Sequence, residues 1–233
     1  RLFSQPHPAA AVFNVDDNVG AQLADDWPET LPSWTCSSRS QVSAQVDISA
    51  SAIESTAQGL RFTLSYAGEQ AVVSSTLVGR FNVDNLLLIV GILLSAGYRF
   101  AQIHPLLAEL NGVPGRMEFC GRSTTGARVY IDYAHTPDSI GAALSAFADL
   151  KSGALHVVFG GGGDRDQAKR PLMGAQAARF ADRITITSDN PRSESSAAIA
   201  QQILAGIKNR TKVAVSHDRE QAISAAIAAA GED

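Results

Sequence analysis

Two rhythms of apolar residues alternate through the second half of the chain. Ala127–Asp132 (ARVYID) is rich in β-formers and predicts a strand. Ile140, Ala143, Leu144, Phe147 and Leu150 then recur at helical spacing. Thr136-Pro137-Asp138 opens that helix, with a hydroxyl to cap, Pro at the first helical position and a carboxylate near the positive end of the dipole. The short apolar run Leu155–Phe159 predicts a buried strand. The alternation continues with a helix from Pro171 to about Ala181 and a strand at Ile184–Thr187. Ser195 or Ser196 then caps a helix carrying Ile199, Ile203, Leu204 and Ile207. A strand at Val213–Val215 and a helix marked by Ala222, Ile223, Ala226 and Ile227 complete the series. Such alternation predicts a mostly parallel sheet with helices on both faces.

The first half is less regular. Ala11–Val15 predicts a strand, followed by Asp16-Asp17 and a short helix to Ala24. Residues 25–40 form a Pro- and Ser-rich loop with a strand near Trp34. Residues 42–48, 60–66 and 70–77 alternate apolar and polar, which predicts an antiparallel meander. Val83–Gly97 is a strongly apolar helix, and Ile103–Leu110 a second one. The turn-rich Asn111–Gly115 predicts a boundary between domains at 1–113 and 114–233.

Composition narrows the function classes. Of 233 residues, 45% are hydrophobic and 18% charged, enough to bury a core and unlike a disordered chain. A net charge of −4 without a basic block gives no footprint for nucleic acid or a membrane surface. The longest apolar run, Leu86–Leu94, falls far short of the ~20 residues of a membrane span. Cys36 and Cys120 lie far apart and read as free thiols of a reducing cytoplasm. There is no signal peptide and no start Met, so the expectation is a cytoplasmic piece of a longer protein.

Three segments with unusual chemistry each fall between a strand and the next helix: Asp132–Pro137, Gly160–Asp166 and Ser188–Glu194. Such loops lie at the carboxyl edge of a parallel sheet, where open α/β folds bind ligands, so all three are expected to converge on one cleft. Gly160–Gly163 lets backbone approach an anion closely, though a plain turn fits equally. Arg165, Asp166, Lys169 and Arg170 add a charged edge, or simply a solvated turn. Asp132 can hold ribose hydroxyls and His135 can meet phosphate; the alternatives are a turn cap and an exposed imidazole. In Asp189-Asn190-Pro191-Arg192, Pro fixes the loop, Arg offers a planar fork for carboxylate, and Asn both donates and accepts. That set suits an amino acid, or is an ordinary turn. Asn82 and Asn85 could hold an adenine edge or cap the apolar helix. Arg116 could reach a phosphate or remain a surface charge, and Asp16-Asp17 could bind Mg2+ or form a solvated turn. No His/Cys cluster has zinc spacing, and no nucleophile elbow is present.

Taken in order, NVDD (Asn14–Asp17), GRFNVDN (Gly79–Asn85), PGRME (Pro114–Glu118), DYAHTP (Asp132–Pro137), Phe159–Met173 (containing GGDRDQAKRPLM) and SDNPRSE (Ser188–Glu194) resemble the Mur ligase family. The resemblance implies the later part of a central ATPase domain, a mixed sheet with an antiparallel meander, followed by a Rossmann-like C-terminal domain with a mostly parallel sheet. It implies ATP and Mg2+, phosphorylation of a carboxylate to an acyl phosphate, and attack by an amine to give an amide. By residue, it implies that Asn82 and Asn85 face adenine, Arg116 meets the nucleotide phosphates or ribose, Asp132 holds ribose hydroxyls, and His135 lies beside the nucleotide. Arg165, Asp189, Asn190, Pro191 and Arg192 would bind the incoming amino acid. The DNPR tetrapeptide implies meso-diaminopimelate in place of lysine, added to UDP-N-acetylmuramoyl-L-alanyl-D-glutamate in peptidoglycan synthesis.

The same resemblance implies a monomer whose partners are small-molecule substrates, with no nucleic acid and no membrane. The family's GTNGKT-like phosphate loop, carbamylated lysine and GKGHE-like element are not in the sequence. The expectation is therefore that this stretch carries no catalytic residue and no metal ligand, and is inactive alone. Gly161 stands where many members have Cys. The alternatives are another amide ligase of the superfamily (folylpolyglutamate synthase-like, lysine-adding, or the next ligase of the pathway), a non-catalytic binding module, or a Rossmann oxidoreductase. DNPRSE argues against the other ligases, and the lack of a spaced glycine fingerprint against the oxidoreductase.

Overall fold

The computed structural model describes residues 9–39, 46–56, 58–148, 150–151 and 153–231. The chain divides into two compact units, Arg1–Gly112 and Val113–Asp233.

The first unit is built on a five-stranded sheet of order β1-β2-β3-β4-β5: Ala11–Asn14, Ser33–Ser37, Ile48–Thr56, Gly59–Tyr66 and Glu69–Ser75. β1, β2 and β3 run parallel, and β3, β4 and β5 form the antiparallel meander. The parallel β1–β2 step needs a crossover, which α1 (Asn18–Asp25) supplies. Asp17 caps α1 by accepting from the Val19 and Gly20 amides. The apolar α2 (Phe81–Ser95) buries Val83, Leu86, Leu87 and Val90 against Ile48, Phe62 and Leu64 of the sheet. α3 (Phe100–Leu106) adds Phe100 and Ile103 to that core.

Two expectations are corrected here. The strand at this place is Ile48–Thr56; of the predicted 42–48, residues 42–45 lie outside the described residues and 46–47 are not strand. Ala52 adopts a left-handed φ of +49°, and the register shifts between Ser51 and Glu54. That bulge breaks the period-two pattern on which the reading relied. The second helix begins three residues earlier and ends four earlier than predicted; at its start Gln102 Oε1 accepts from the Arg99 amide at 3.1 Å.

The second unit contains β6 (Glu118–Arg122), β7 (Arg128–Ile131), α4 (Pro137–Ala148), β8 (His156–Phe159), α5 (Lys169–Phe180), β9 (Arg183–Thr187), α6 (Ser196–Ala205), β10 (Val213–Ser216) and α7 (Arg219–Ala229). β10, β9 and β8 form a parallel sheet in that order. Its core joins Ile184 and Ile186 of β9 and Phe159 of β8 to Ile140, Met173, Ala177, Ile199 and Ile203 of the helices. α5 and α6 approach so closely that a Cβ on Gly174 would lie 2.1 Å from the Ile203 carbonyl oxygen. Thr136 caps α4 by accepting from the Ser139 amide at 3.2 Å.

The ARVYID strand does not join the parallel sheet. It pairs antiparallel with β6, closing a two-stranded ribbon. β6 itself is not predicted by the pattern. Gly121 sits at φ +138°, and the register shifts between Phe119 and Gly121, so EFCGR shows no alternation.

Candidate functional site

Neighbouring parallel strands deliver their following loops side by side, and β8 and β9 do so here. The Gly163 amide donates to the Asn190 carbonyl at 2.8 Å. A Cβ on Gly163 would lie 1.8 Å from the Pro191 carbonyl oxygen, so only glycine lets the loops touch. Arg192 Nη1 donates to the Gly163 carbonyl at 2.6 Å. A Cβ on Gly162 would lie 3.1 Å from Arg192 Nη1 and 3.6 Å from Arg165 Cγ. The two arginines therefore flank one glycine. The Asp189 Cβ lies 3.2 Å from the position a Gly160 Cβ would take. Arg165, Asp189, Asn190, Pro191 and Arg192 are thus brought together. Neither Arg165 nor Arg192 has a carboxylate partner among the described residues. Two arginines that no carboxylate of the protein neutralises suit a carboxylate ligand.

The Arg170 side chain does not lie on a solvated edge, as the sequence suggests. It is 2% exposed, carried on the first turn of α5. Its guanidinium donates to both Glu194 oxygens at 2.7 Å, to Gln202 Oε1 at 2.6 Å and to the Gly162 carbonyl at 2.9 Å. Glu194 Oε1 also accepts from the Asp164 amide at 2.7 Å. These hydrogen bonds, Arg170 first, hold the Glu194 carboxyl down at about 2. Arg170 is raised in turn, mainly by its bond to Glu194 and against the cost of burial. Sequence reasoning overlooks this pair because its members lie 24 positions apart, one on α5 and one in the loop after β9.

No hydrogen bond among the described residues joins the third loop, Asp132–Pro137, to the other two loops. It is tied instead to Gly115–Met117: the Tyr133 amide donates to the Gly115 carbonyl at 2.7 Å. Asp132 accepts from the Met117 amide at 2.9 Å and the Ala134 amide at 2.8 Å. Both carboxylate oxygens therefore brace a turn. The Arg116 guanidinium lies 5.0 Å over the Tyr133 ring, and His135 meets that ring edge-on at 5.1 Å. His135 Nδ1 is 2.9 Å from the Tyr133 carbonyl oxygen. Arg116, Asp132 and His135 are thus assembled around exposed Tyr133. Two of the three loops are joined by hydrogen bonds; the third follows ribbon strand β7, and its Ala134 packs against the core of the parallel sheet.

In the first unit, Asn82 Nδ2 donates to the Val78 carbonyl at 2.8 Å, and Asn85 Nδ2 to Asn82 Oδ1 at 3.0 Å. The two amides meet at the start of α2, with Asn85 exposed. Asp16 accepts from Ser37 Oγ at 2.5 Å and the Ser38 amide at 2.8 Å, tying the end of β1 to β2. Asp17 is the α1 cap. Both carboxylates are engaged by the protein, and no group of three or more His, Cys, Asp or Glu among the described residues is arranged to hold a metal.

Family models agree with this architecture. The Mur ligase middle domain matches residues 1–93, and the Mur ligase, glutamate ligase domain matches residues 115–233. The chain belongs to the Mur ligase family. Among its relatives, the UDP-N-acetylmuramoyl-L-alanyl-D-glutamate--2,6-diaminopimelate ligase of Prochlorococcus marinus is 40% identical over 221 residues, covering 94% of this chain and 44% of the relative. The same-named ligase of Xanthomonas oryzae pv. oryzae is 41% identical over 230 residues, 99% of this chain and 46% of its own. The chain spans about half the length of the relatives it matches. A solved structure of a 2,6-diaminopimelate ligase of that name shares 33% identity at a TM-score of 0.60, over 92% of this chain and 44% of that one. A Mycobacterium tuberculosis folylpolyglutamate synthase reaches a TM-score of 0.71 at 19% identity, over 96% of this chain and 49% of its own, which speaks for the fold alone.

Proposed function

We propose that this Mur ligase chain is part of an ATP-dependent amide ligase that adds meso-diaminopimelate to UDP-N-acetylmuramoyl-L-alanyl-D-glutamate in the cytoplasm. Residues 1–113 belong to the central ATP-binding domain and 114–233 form the amino-acid-binding domain. The observation that carries the reading is the placement of Arg165 and Arg192 on either side of Gly162, neither with a carboxylate partner among the described residues. Meso-diaminopimelate differs from lysine by a second, distal carboxylate, the group such a pair holds. Asn190 both donates and accepts, and Asp189 offers a counter-charge to the distal ammonium. Pro191 fixes the backbone between them.

On the nucleotide side, Asn82 and Asn85 face adenine, Arg116 meets the phosphates or ribose, Asp132 holds ribose hydroxyls and His135 lies beside the nucleotide. The Asp132 carboxylate already accepts two amides, so it is pre-aimed, with lone pairs remaining for hydroxyl donors. ATP phosphorylates the dipeptide carboxylate. The free amine then attacks the acyl phosphate carbon, phosphate leaves with the bonding pair, and an amide remains. The residues here contribute positioning, which converts a bimolecular attack into an oriented one. Mg2+ would accompany ATP and neutralise phosphate charge. The enzyme acts as a monomer on small-molecule substrates, with no nucleic acid or membrane partner. No helix among the described residues is long and apolar enough to cross a membrane.

The test is ADP release by the full-length enzyme. With ATP and the muramoyl dipeptide saturating, kcat/KM should favour meso-diaminopimelate over lysine by at least about 100-fold, because lysine leaves the arginine pair unpaired. Equal turnover would sink the substrate assignment. The 233-residue chain alone should form no amide.

A further inference from the structure

The backbone that presents the two arginines is held in an uncommon shape. Asp164 and Arg192 both adopt left-handed φ, +53° and +49°, without being glycine. They lie in different loops, and the Asp164 side chain accepts from Ser193 Oγ at 2.5 Å, locking one strained turn to the other. Such conformations persist only where the surroundings over-determine them.

What over-determines them is buried beneath. The Arg170 guanidinium reaches the Gly162 carbonyl in the loop after β8, both Glu194 oxygens in the loop after β9, and Gln202 on α6. Glu194 reaches back to the Asp164 amide. Two successive carbonyls are thereby turned to different arginines, Gly162 to buried Arg170 and Gly163 to Arg192. Resting on the diaminopimelate reading above, we propose that Arg170 and Glu194 are positioning residues that set amino-acid specificity by fixing Arg165 and Arg192 side by side. Arg170 is too enclosed to meet a diffusing ligand and touches no substrate. Lysine cannot replace it, because one ammonium cannot span both carboxylate oxygens, an amide and a carbonyl on three segments.

The experiment uses the full-length enzyme carrying Arg170→Lys or Glu194→Gln, with kcat and KM measured separately for meso-diaminopimelate and ATP, and melting recorded. Each variant should raise the KM for meso-diaminopimelate at least about tenfold, a cost of about 1.4 kcal/mol, while the KM for ATP stays within about twofold. Glu194→Gln keeps the side chain's shape and its acceptor for the Asp164 amide, so it carries the test if Arg170→Lys does not fold. An unchanged KM for meso-diaminopimelate overturns the inference. So does an equal loss for both substrates that tracks a fall in Tm, which marks a structural role alone. A wild-type enzyme that ignores meso-diaminopimelate overturns the functional reading itself, a distinct outcome visible before any variant is made.

Discussion

The two candidate clusters of the second unit are built in opposite ways. Around Tyr133, the Asp132, His135 and Arg116 side chains are exposed, and they are held by partners in their own loop and in Gly115–Met117. Around Gly162, the arginines rest on backbone pinned by buried Arg170, which bonds the Gly162 carbonyl in one loop and Glu194 in the other. The first arrangement can adapt to a ligand that also touches other parts of a protein. The second is rigid before its ligand arrives, which suits discrimination between amino acids that differ by one carboxylate.

Substitutions can break that contrast. The largest effect should come from Arg192→Ala, which removes a charged hydrogen-bonding partner worth roughly 1.5–3 kcal/mol. The KM for meso-diaminopimelate should rise about 10- to 100-fold in steady-state assays, with that for ATP unmoved. Gly163→Ala should come next. Its Cβ would meet the Pro191 carbonyl at 1.8 Å, forcing the loops apart. Overpacking of this kind costs about 1–3 kcal/mol, readable in urea unfolding. Asp132→Asn should act on the other cluster, raising the KM for ATP about tenfold through loss of a charged acceptor and sparing meso-diaminopimelate.

The smallest effect concerns pH. Glu194 is depressed from 4.5 to about 2 in the folded chain. Its contribution is therefore fully present above its unfolded pKa, and is lost as pH falls from about 5 towards 2. Glu194→Gln should flatten the acid side of the stability curve measured by chemical unfolding. An unaltered curve would mean that the ion pair does not distinguish the folded state.

Much of the fold and of the candidate site is legible in the sequence. The βα alternation placed β8, β9 and β10 with their helices, because each apolar run is short and bounded by turn residues. The DNPR loop and the glycine run stood out through residue chemistry alone. Misreadings arose where geometry departs from period. Bulges at Ala52 and Gly121 hid β3 and β6, and missing β6 misplaced ARVYID in the parallel sheet. Arg170 looked like surface because a charged residue beside a proline at a helix start is solvated by default. Its burial depends on Glu194 and Gln202, partners in later segments that no local spacing reveals.

The most direct measurement is a structure of the protein with meso-diaminopimelate bound. The distal carboxylate should sit within about 3 Å of the Arg192 and Arg165 guanidinium nitrogens, beside Gly162 and Asn190. A ligand lodged away from the Gly162–Gly163 backbone, or arginines turned away from its carboxylate, would contradict the account.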